Sequence, residues 1–214
     1  MSAPGMGSPP RRMLALGDSY TIGEAVPPAG RWVAMVAAGL RAVGISLEPP
    51  EIVAQTGWTT DELEAAIVAA GTSGSFDLVT LMVGVNDQFR GRDLARFRAR
   101  YAGLLERAVG FAGGEPGHVL AISIPDWGVT PFARARAGLE LARTVDDFND
   151  AAASEALSRA VRWVDVTRAS RELSLQPGML AGDGLHPSAS QHAAWAAIIL
   201  PEARRALAPS RAHS

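Results

Sequence analysis

The chain has 214 residues, the length of one domain. Its composition is 48% hydrophobic and 20% charged with a formal net charge of -2, which excludes a disordered chain, a collagen and a coiled-coil rod. All 20 basic residues are Arg and none is Lys, so Schiff-base chemistry, lysine-anchored pyridoxal phosphate and a Walker-type phosphate lysine are excluded. The absence of Cys removes disulfides, thiolate nucleophiles, iron–sulfur clusters and cysteine zinc sites.

Residues 1–11 carry Pro and Gly without a basic start or an apolar run of signal-peptide length, and read as a disordered leader. A single domain is expected over 12–208 and a flexible tail over 209–214. No stretch approaches the roughly 18 consecutive apolar residues of a spanning helix, so a soluble, cytoplasmic protein that engages no membrane is expected. Residues 12–17 form a short apolar strand ending in Gly, followed by a helix over 31–43 with apolar residues at helical spacing. Glu51 to Gln55 is a second strand, and Thr60 to Ala70 a helix with Thr60 as N-cap and acidic residues in its first turn. Asp77 to Val83, almost entirely apolar, reads as a strand buried on both faces.

A long helix is expected from about Arg92 to Phe111. The Arg-rich run from Arg90 to Arg107 reads as its solvated charged face, since no aromatic stacking platform accompanies it; no nucleic-acid partner is expected. His118 to Ile124 is a fourth strand, a helix spans about Leu139 to Arg159, Val161 to Val166 is a fifth strand, and a last helix runs from about Ser190 to Leu207. Five strands alternating with helices predict an α/β chain with a parallel sheet covered on both faces.

In such a sheet, ligands bind at the carboxyl ends of the strands, and the polar residues cluster in the loops expected there. These are Gly17 to Thr21, Thr56 to Thr59, Gly84 to Asp87, and Gly182 to Pro187 ahead of the last helix. Asp183 and His186 are three apart, close enough for the carboxylate to reach the imidazole Nδ1 and leave Nε2 free. Ser19, just beyond the first strand, is the hydroxyl best placed to meet that Nε2. Acyl transfer also needs donors for an oxyanion; Gly57 offers a backbone N–H and Asn86 a side-chain amide.

These residues resemble the SGNH, or GDSL-type, esterases and lipases. The family's Gly-Asp-Ser block matches Gly17 to Ser19, its second-block glycine Gly57, its Gly-x-Asn-Asp block Gly84 to Asp87, and its Asp-x-x-His block Asp183 and His186. The four occur in the family's order over roughly residues 12–208. The resemblance implies a three-layer α/β/α sandwich around a five-stranded parallel sheet, flavodoxin-like in outline. It implies a triad of Ser19, His186 and Asp183, an oxyanion hole from Ser19 N–H, Gly57 N–H and Asn86, and no cofactor. One departure is Tyr20, where the family commonly has Leu or Ile.

An α/β-hydrolase elbow is disfavoured, because the residue two after Ser19 is Thr21 rather than Gly. Asp18 and Asp87 are read as turn-holding, and His118, His192 and His213 as structural or exposed. Asp18, Asp183 and His186 around a cation are the metal alternative, which the triad replaces with fewer assumptions. A loop from Pro125 to Arg136 carries Trp127 and Phe132; with Tyr20, Trp58 and Met179 these are expected to form an apolar rim for a small, short-chain ester. Carbohydrate O-deacetylase and thioesterase or lysophospholipase are the alternatives within the class. Outside it stand a flavodoxin-like binding protein, which lacks its phosphate-cradling loop here, and an interaction protein that kept the fold without catalysis.

Overall fold

The computed structural model describes residues 9–134 and 138–208. Most of the expected leader, the last two residues of the expected 125–136 loop and the expected tail, including His213, lie outside the described residues. The strands are β1 (Met13–Gly17), β2 (Glu51–Ala54), β3 (Leu78–Met82), β4 (Val119–Ile122) and β5 (Arg162–Val164). They pair in parallel in the order β2-β1-β3-β4-β5. The helices are α1 (Ser19–Ile22), α2 (Trp32–Ala42), α3 (Thr60–Ala69), α4 (Val85–Phe89), α5 (Leu94–Phe111), α6 (Pro131–Arg134), α7 (Gly138–Ser158), α8 (Thr167–Leu173) and α9 (Ala189–Ala206).

The burial pattern explains the layers. Every residue of β1, β3 and β4 is buried, whereas edge strand β2 begins with two exposed residues. A strand apolar on both sides needs cover on both sides. That cover comes from α2 packed on α9, and from α5 packed on α3 and α7. The largest buried side chains are Trp32 and Trp195, one from each helix of the α2/α9 pair.

Local chemistry shifts three expected boundaries. Arg11, expected in the leader, already bridges to Leu47 and ion-pairs with Asp77 at 3.5 Å. Thr59, not Thr60, caps α3: its N–H and hydroxyl both donate to Glu62 Oε2, at 2.8 and 2.9 Å, as in a capping box. The Arg-rich run does not continue back into α4, because the chain turns at Arg90 to Asp93, and Asp93 caps α5 by accepting the Arg96 N–H. On α5 and its approach, Arg92, Arg96 and Arg100 all meet Asp61 of α3, at 2.6 to 2.8 Å.

The connection from β1 goes to β2 on one side, and β3 lies on the other side of β1. The crevice at the carboxyl ends of β1 and β3 is therefore the topological switch point, where open α/β sheets bind ligands. Gly17 closes β1 there, and a Cβ on it would lie 2.1 Å from Thr21 Oγ1 and 2.4 Å from the Met82 carbonyl oxygen. The hydroxyl can rotate away, but Thr21 Cβ, at 2.6 Å, cannot, and the carbonyl belongs to the neighbouring strand. Gly17→Ala is accordingly expected to destabilise the fold by about 3 kcal/mol, read as a fall in the urea midpoint; an unchanged midpoint would show that β1 and β3 separate at no cost.

Candidate active site

At the end of β1 the buried Asp18 caps α1, its Oδ1 accepting the Tyr20 N–H at 3.1 Å. Ser19 is the first residue of α1 and is nearly buried; as a first-turn residue its N–H has no intrahelical acceptor. The Ser19 hydroxyl makes no side-chain hydrogen bond among the described residues.

Asp18 Oδ2 is buried with no partner. Burial pushes this carboxyl up to about 7, against the pull of the Tyr20 N–H and with a further push from Asp87. Because the folded state binds this proton more tightly than the unfolded chain does, the stabilisation is complete below the ordinary value of 3.8. It disappears as pH rises through about 7. Asp18→Asn keeps the Oδ1 acceptor and removes the charge, so its stability relative to the parent is expected to grow by ~2 kcal/mol or more between pH 4 and pH 8. Parallel stability curves would contradict this.

The second and third loops are fastened to each other. Gly57 has φ +89°, a left-handed conformation that favours glycine. Its N–H makes no hydrogen bond to another backbone group among the described residues, while its carbonyl accepts from Arg90 Nη2 at 2.7 Å. Asn86, in α4 after β3, donates from Nδ2 to the Trp58 carbonyl at 2.9 Å, which leaves its other amide proton uncommitted. The buried Asp87 accepts from both the Thr60 N–H and the Thr60 hydroxyl, at 2.9 and 2.8 Å. Burial pushes the Asp87 carboxyl up and the Thr60 bonds oppose it.

The loop before α9 folds on itself. Asp183 Oδ1 accepts the N–H groups of Leu185 and His186 at 2.9 and 3.0 Å, and Asp183 Oδ2 lies 2.6 Å from His186 Nδ1. With an ionised Asp183, the proton between them sits on Nδ1, and Nε2 carries the free lone pair. Burial pushes the Asp183 carboxyl up, but the hydrogen bonds from His186 and from the two backbone N–H groups outweigh it and hold the group below its ordinary value. The Phe132 N–H reaches the Gly184 carbonyl at 3.3 Å, joining this loop to the one that follows β4.

Ser19, Gly57, Asn86 and His186 all border one cavity of about 220 Å³. Asp183 stands behind His186 through their bond. Of the residues expected on an apolar rim, Tyr20, Trp127 and Phe132 line the cavity. Trp58 and Met179 are not among its lining residues: the half-buried Trp58 packs against the core, and its part in the site is the carbonyl that holds Asn86. Tyr20 packs its ring against His186, with centroids 6.0 Å apart, and against Trp195 at 5.9 Å.

Thr56, Val85 and Leu185, within those polar loops but given no role of their own by the sequence, also line the cavity, as does Phe89, which lies beyond them. Phe89 had a legible signal: it lies three residues after Asn86, the spacing that puts two side chains on one helical face. Nothing in the sequence marks Arg90 as the residue that grips the Gly57 carbonyl. His192 is fully buried, accepts the Trp32 N–H on Nδ1 at 3.2 Å, and is held down to about 4 by burial. Trp32 in turn donates from Nε1 to the Tyr20 carbonyl at 3.0 Å. His118 closes a short turn ahead of β4. Among the described residues no group of three His, Cys, Asp or Glu side chains is arranged to hold a metal ion, and no helix is long and apolar enough to cross a membrane.

A sequence model of the GDSL-like lipase/acylhydrolase family matches residues 15–194. The chain belongs to that family. It is an ester-hydrolysing enzyme of the GDSL-like type. Among curated proteins none matches the sequence. Among solved structures the GDSL-like fold is similar to that of TesA, at 20% identity over 92% of this chain and 100% of that one, with a TM-score of 0.73. It is similar also to the lipase/acylhydrolase from Enterococcus faecalis, at 24% identity over 94% and 100%, with a TM-score of 0.68. A third likeness is to Axe2, an acetylxylan esterase from Geobacillus stearothermophilus, at 24% identity over 94% and 97%, with a TM-score of 0.67. At these identities the likeness is one of fold: the three-layer α/β/α arrangement around a five-stranded parallel sheet.

Proposed function

We propose that the protein is a serine carboxylic ester hydrolase acting through Ser19, His186 and Asp183 on small esters with an apolar acyl group. The observation that carries this reading is the meeting of Ser19, Gly57, Asn86 and His186 around one cavity, with Asp183 bonded to the imidazole Nδ1. Ser19 Oγ attacks the ester carbonyl carbon as His186 Nε2 takes its proton. The negative charge that develops on the carbonyl oxygen is met by the N–H groups of Ser19 and Gly57 and by the Asn86 amide. Asp183 holds the Nδ1–H tautomer and stabilises the imidazolium. His186 then gives the proton to the departing alcohol oxygen, leaving an acyl group on Ser19. Water, deprotonated by His186, releases that acyl group as the carboxylic acid.

The cavity's walls bear on the substrate. A cavity of roughly 150 Å³ holds a benzene ring, so about 220 Å³ takes a group of about six to eight carbons. Tyr20, Val85, Phe89, Trp127, Phe132 and Leu185 make those walls, with no carboxylate or guanidinium among the lining residues. This favours a short apolar acyl or aromatic group over a charged one. An acetylated carbohydrate, the kind of substrate that the name of Axe2 indicates, has less to recommend it here, because polar side chains for sugar hydroxyls are few in this lining.

The test is hydrolysis of p-nitrophenyl esters from acetate to palmitate, with and without EDTA, together with labelling by a fluorophosphonate probe. The expected result is EDTA-insensitive turnover, best on chains of two to about eight carbons, with the probe recovered on the peptide containing Ser19. Labelling of another residue, or a best rate on palmitate, would overturn the assignment.

A further inference from the structure

Gln88 is almost fully buried in α4, two residues after Asn86, and it does not line the cavity. Both ends of its amide are engaged. Its Oε1 accepts the Trp127 indole N–H at 2.7 Å, and its Nε2 donates to the Thr144 hydroxyl of α7 at 2.6 Å. Trp127 is itself 4% exposed and stands at the centre of the aromatic wall. Phe89 meets it edge-on with centroids 5.3 Å apart, and Phe132 does so at 6.4 Å. The backbone that carries Trp127 is fixed as well: Asp126 accepts the Gly128 N–H at 2.8 Å and the Arg171 guanidinium at 2.7 Å.

With the backbone fixed, the freedom left to the indole is rotation of its side chain. The indole N–H is the ring's one polar atom, and a buried donor without an acceptor is disfavoured. The ring therefore keeps the orientation in which Gln88 meets it. Resting on the ester hydrolase reading above, we propose that Gln88 is a specificity-determining positioning residue, which pins the Trp127 indole from behind the cavity and so sets the largest acyl group that the cavity admits. The amide has the two functions this needs, since its acceptor faces Trp127 and its donor is anchored on a different helix. The same short helix carries Asn86 and Phe89, so the oxyanion donor and the wall share one support.

The experiment compares kcat/KM for p-nitrophenyl acetate and p-nitrophenyl octanoate in the parent and in Gln88→Met, Gln88→Glu, Trp127→Phe and the Gln88→Met/Trp127→Phe double variant. Methionine matches glutamine in length and has no amide to hold the indole. Gln88→Met is expected to shift the octanoate-to-acetate ratio about tenfold towards octanoate, carried mainly by KM, with kcat on acetate within about twofold of the parent. Gln88→Glu keeps an oxygen for the indole N–H and is expected to retain the parent ratio. Trp127→Phe removes the N–H and is expected to shift the ratio in the same direction. The double variant is expected to match Trp127→Phe alone, because Gln88 acts through the indole.

A ratio within about twofold of the parent in Gln88→Met, or additive effects in the double variant, would overturn the proposal. If Gln88→Met does not fold, Trp127→Phe and Gln88→Glu decide: an unshifted ratio in the first or a shifted one in the second overturns it. Indole N–H exchange gives a readout independent of catalysis. The Trp127 resonance, assigned by its absence in Trp127→Phe, is expected to exchange slowly in the parent and at least about tenfold faster in Gln88→Met; equal rates would count against the proposal. Hydrolysis that survives Ser19→Ala would instead sink the ester hydrolase reading, while the exchange rates still report on the Gln88 contact.

Discussion

Ser19→Ala is expected to lower kcat for p-nitrophenyl butyrate by about a millionfold, the loss seen when a serine nucleophile is removed from a complete triad. The size of the effect follows from what the hydroxyl does. In the proposed mechanism no acyl-enzyme forms without Oγ, and neither His186 nor Asp183 has a proton transfer to assist. A residual rate about a thousandfold above water is expected, because the proposed oxyanion donors, the backbone N–H groups of residues 19 and 57 and the Asn86 amide, remain. Stability is expected to stay within about 0.5 kcal/mol of the parent, since the Ser19 hydroxyl makes no side-chain hydrogen bond among the described residues and α1 is capped by Asp18. Loss of catalysis with an unchanged melting curve is therefore the signature of a nucleophile. Retention of more than about a tenth of the parent rate would show that the reaction does not pass through Ser19.

Asp183→Asn is expected to reduce kcat about 10³- to 10⁴-fold while leaving KM nearly unchanged. The asparagine amide donates where the carboxylate accepted, so Nδ1 of His186 must present its lone pair and the proton moves to Nε2. An imidazole protonated on Nε2 has no lone pair there with which to take the Ser19 proton. The comparison with Asp183→Ala separates the two functions of this side chain. In the parent one carboxylate oxygen holds the N–H groups of Leu185 and His186, and asparagine keeps that oxygen whereas alanine does not. Asp183→Ala is thus expected to lose both activity and loop stability, and Asp183→Asn activity alone. A rate for Asp183→Asn within about tenfold of the parent would reduce Asp183 to a turn former.

The residues that border the cavity were legible to different degrees, for physical reasons. Gly17 to Ser19, Gly57, Asn86, and Asp183 with His186 sit in short polar segments between apolar strands and helices; spacing links Asp183 to His186, whereas Gly57 and Asn86 stand out more by their likeness to the family's blocks. Tyr20, Trp127 and Phe132 were recognisable as large apolar residues near those segments, but Trp58 shows the weakness of that cue. An aromatic ring beside a catalytic loop can turn into the core as readily as into the cavity, and Trp58 contributes its carbonyl to Asn86 instead of its ring to the wall. Asp18 and Asp87 were expected to hold turns, and they accept from Tyr20 and from Thr60. No local pattern signals that Asp18 keeps a buried oxygen without a partner.

The α/β class, the alternation of five strands with helices, the chain order of the four polar loops, and the pairing of Asp183 with His186 are all legible in the residues alone. Each of these rests on residues close together in the chain, where strand and helix periods, caps and three-residue spacings act directly. That β3 lies beside β1, bringing Asn86 to the Ser19 turn, follows from the packing of the whole sheet. The same holds for the grip of Arg90 on the Gly57 loop and for the reach of Gln88 to Trp127, 39 residues further along the chain. Those contacts depend on how sheet and helices pack around a common core, and packing joins residues by shape and by unmet hydrogen-bonding need across distances that no local pattern encodes.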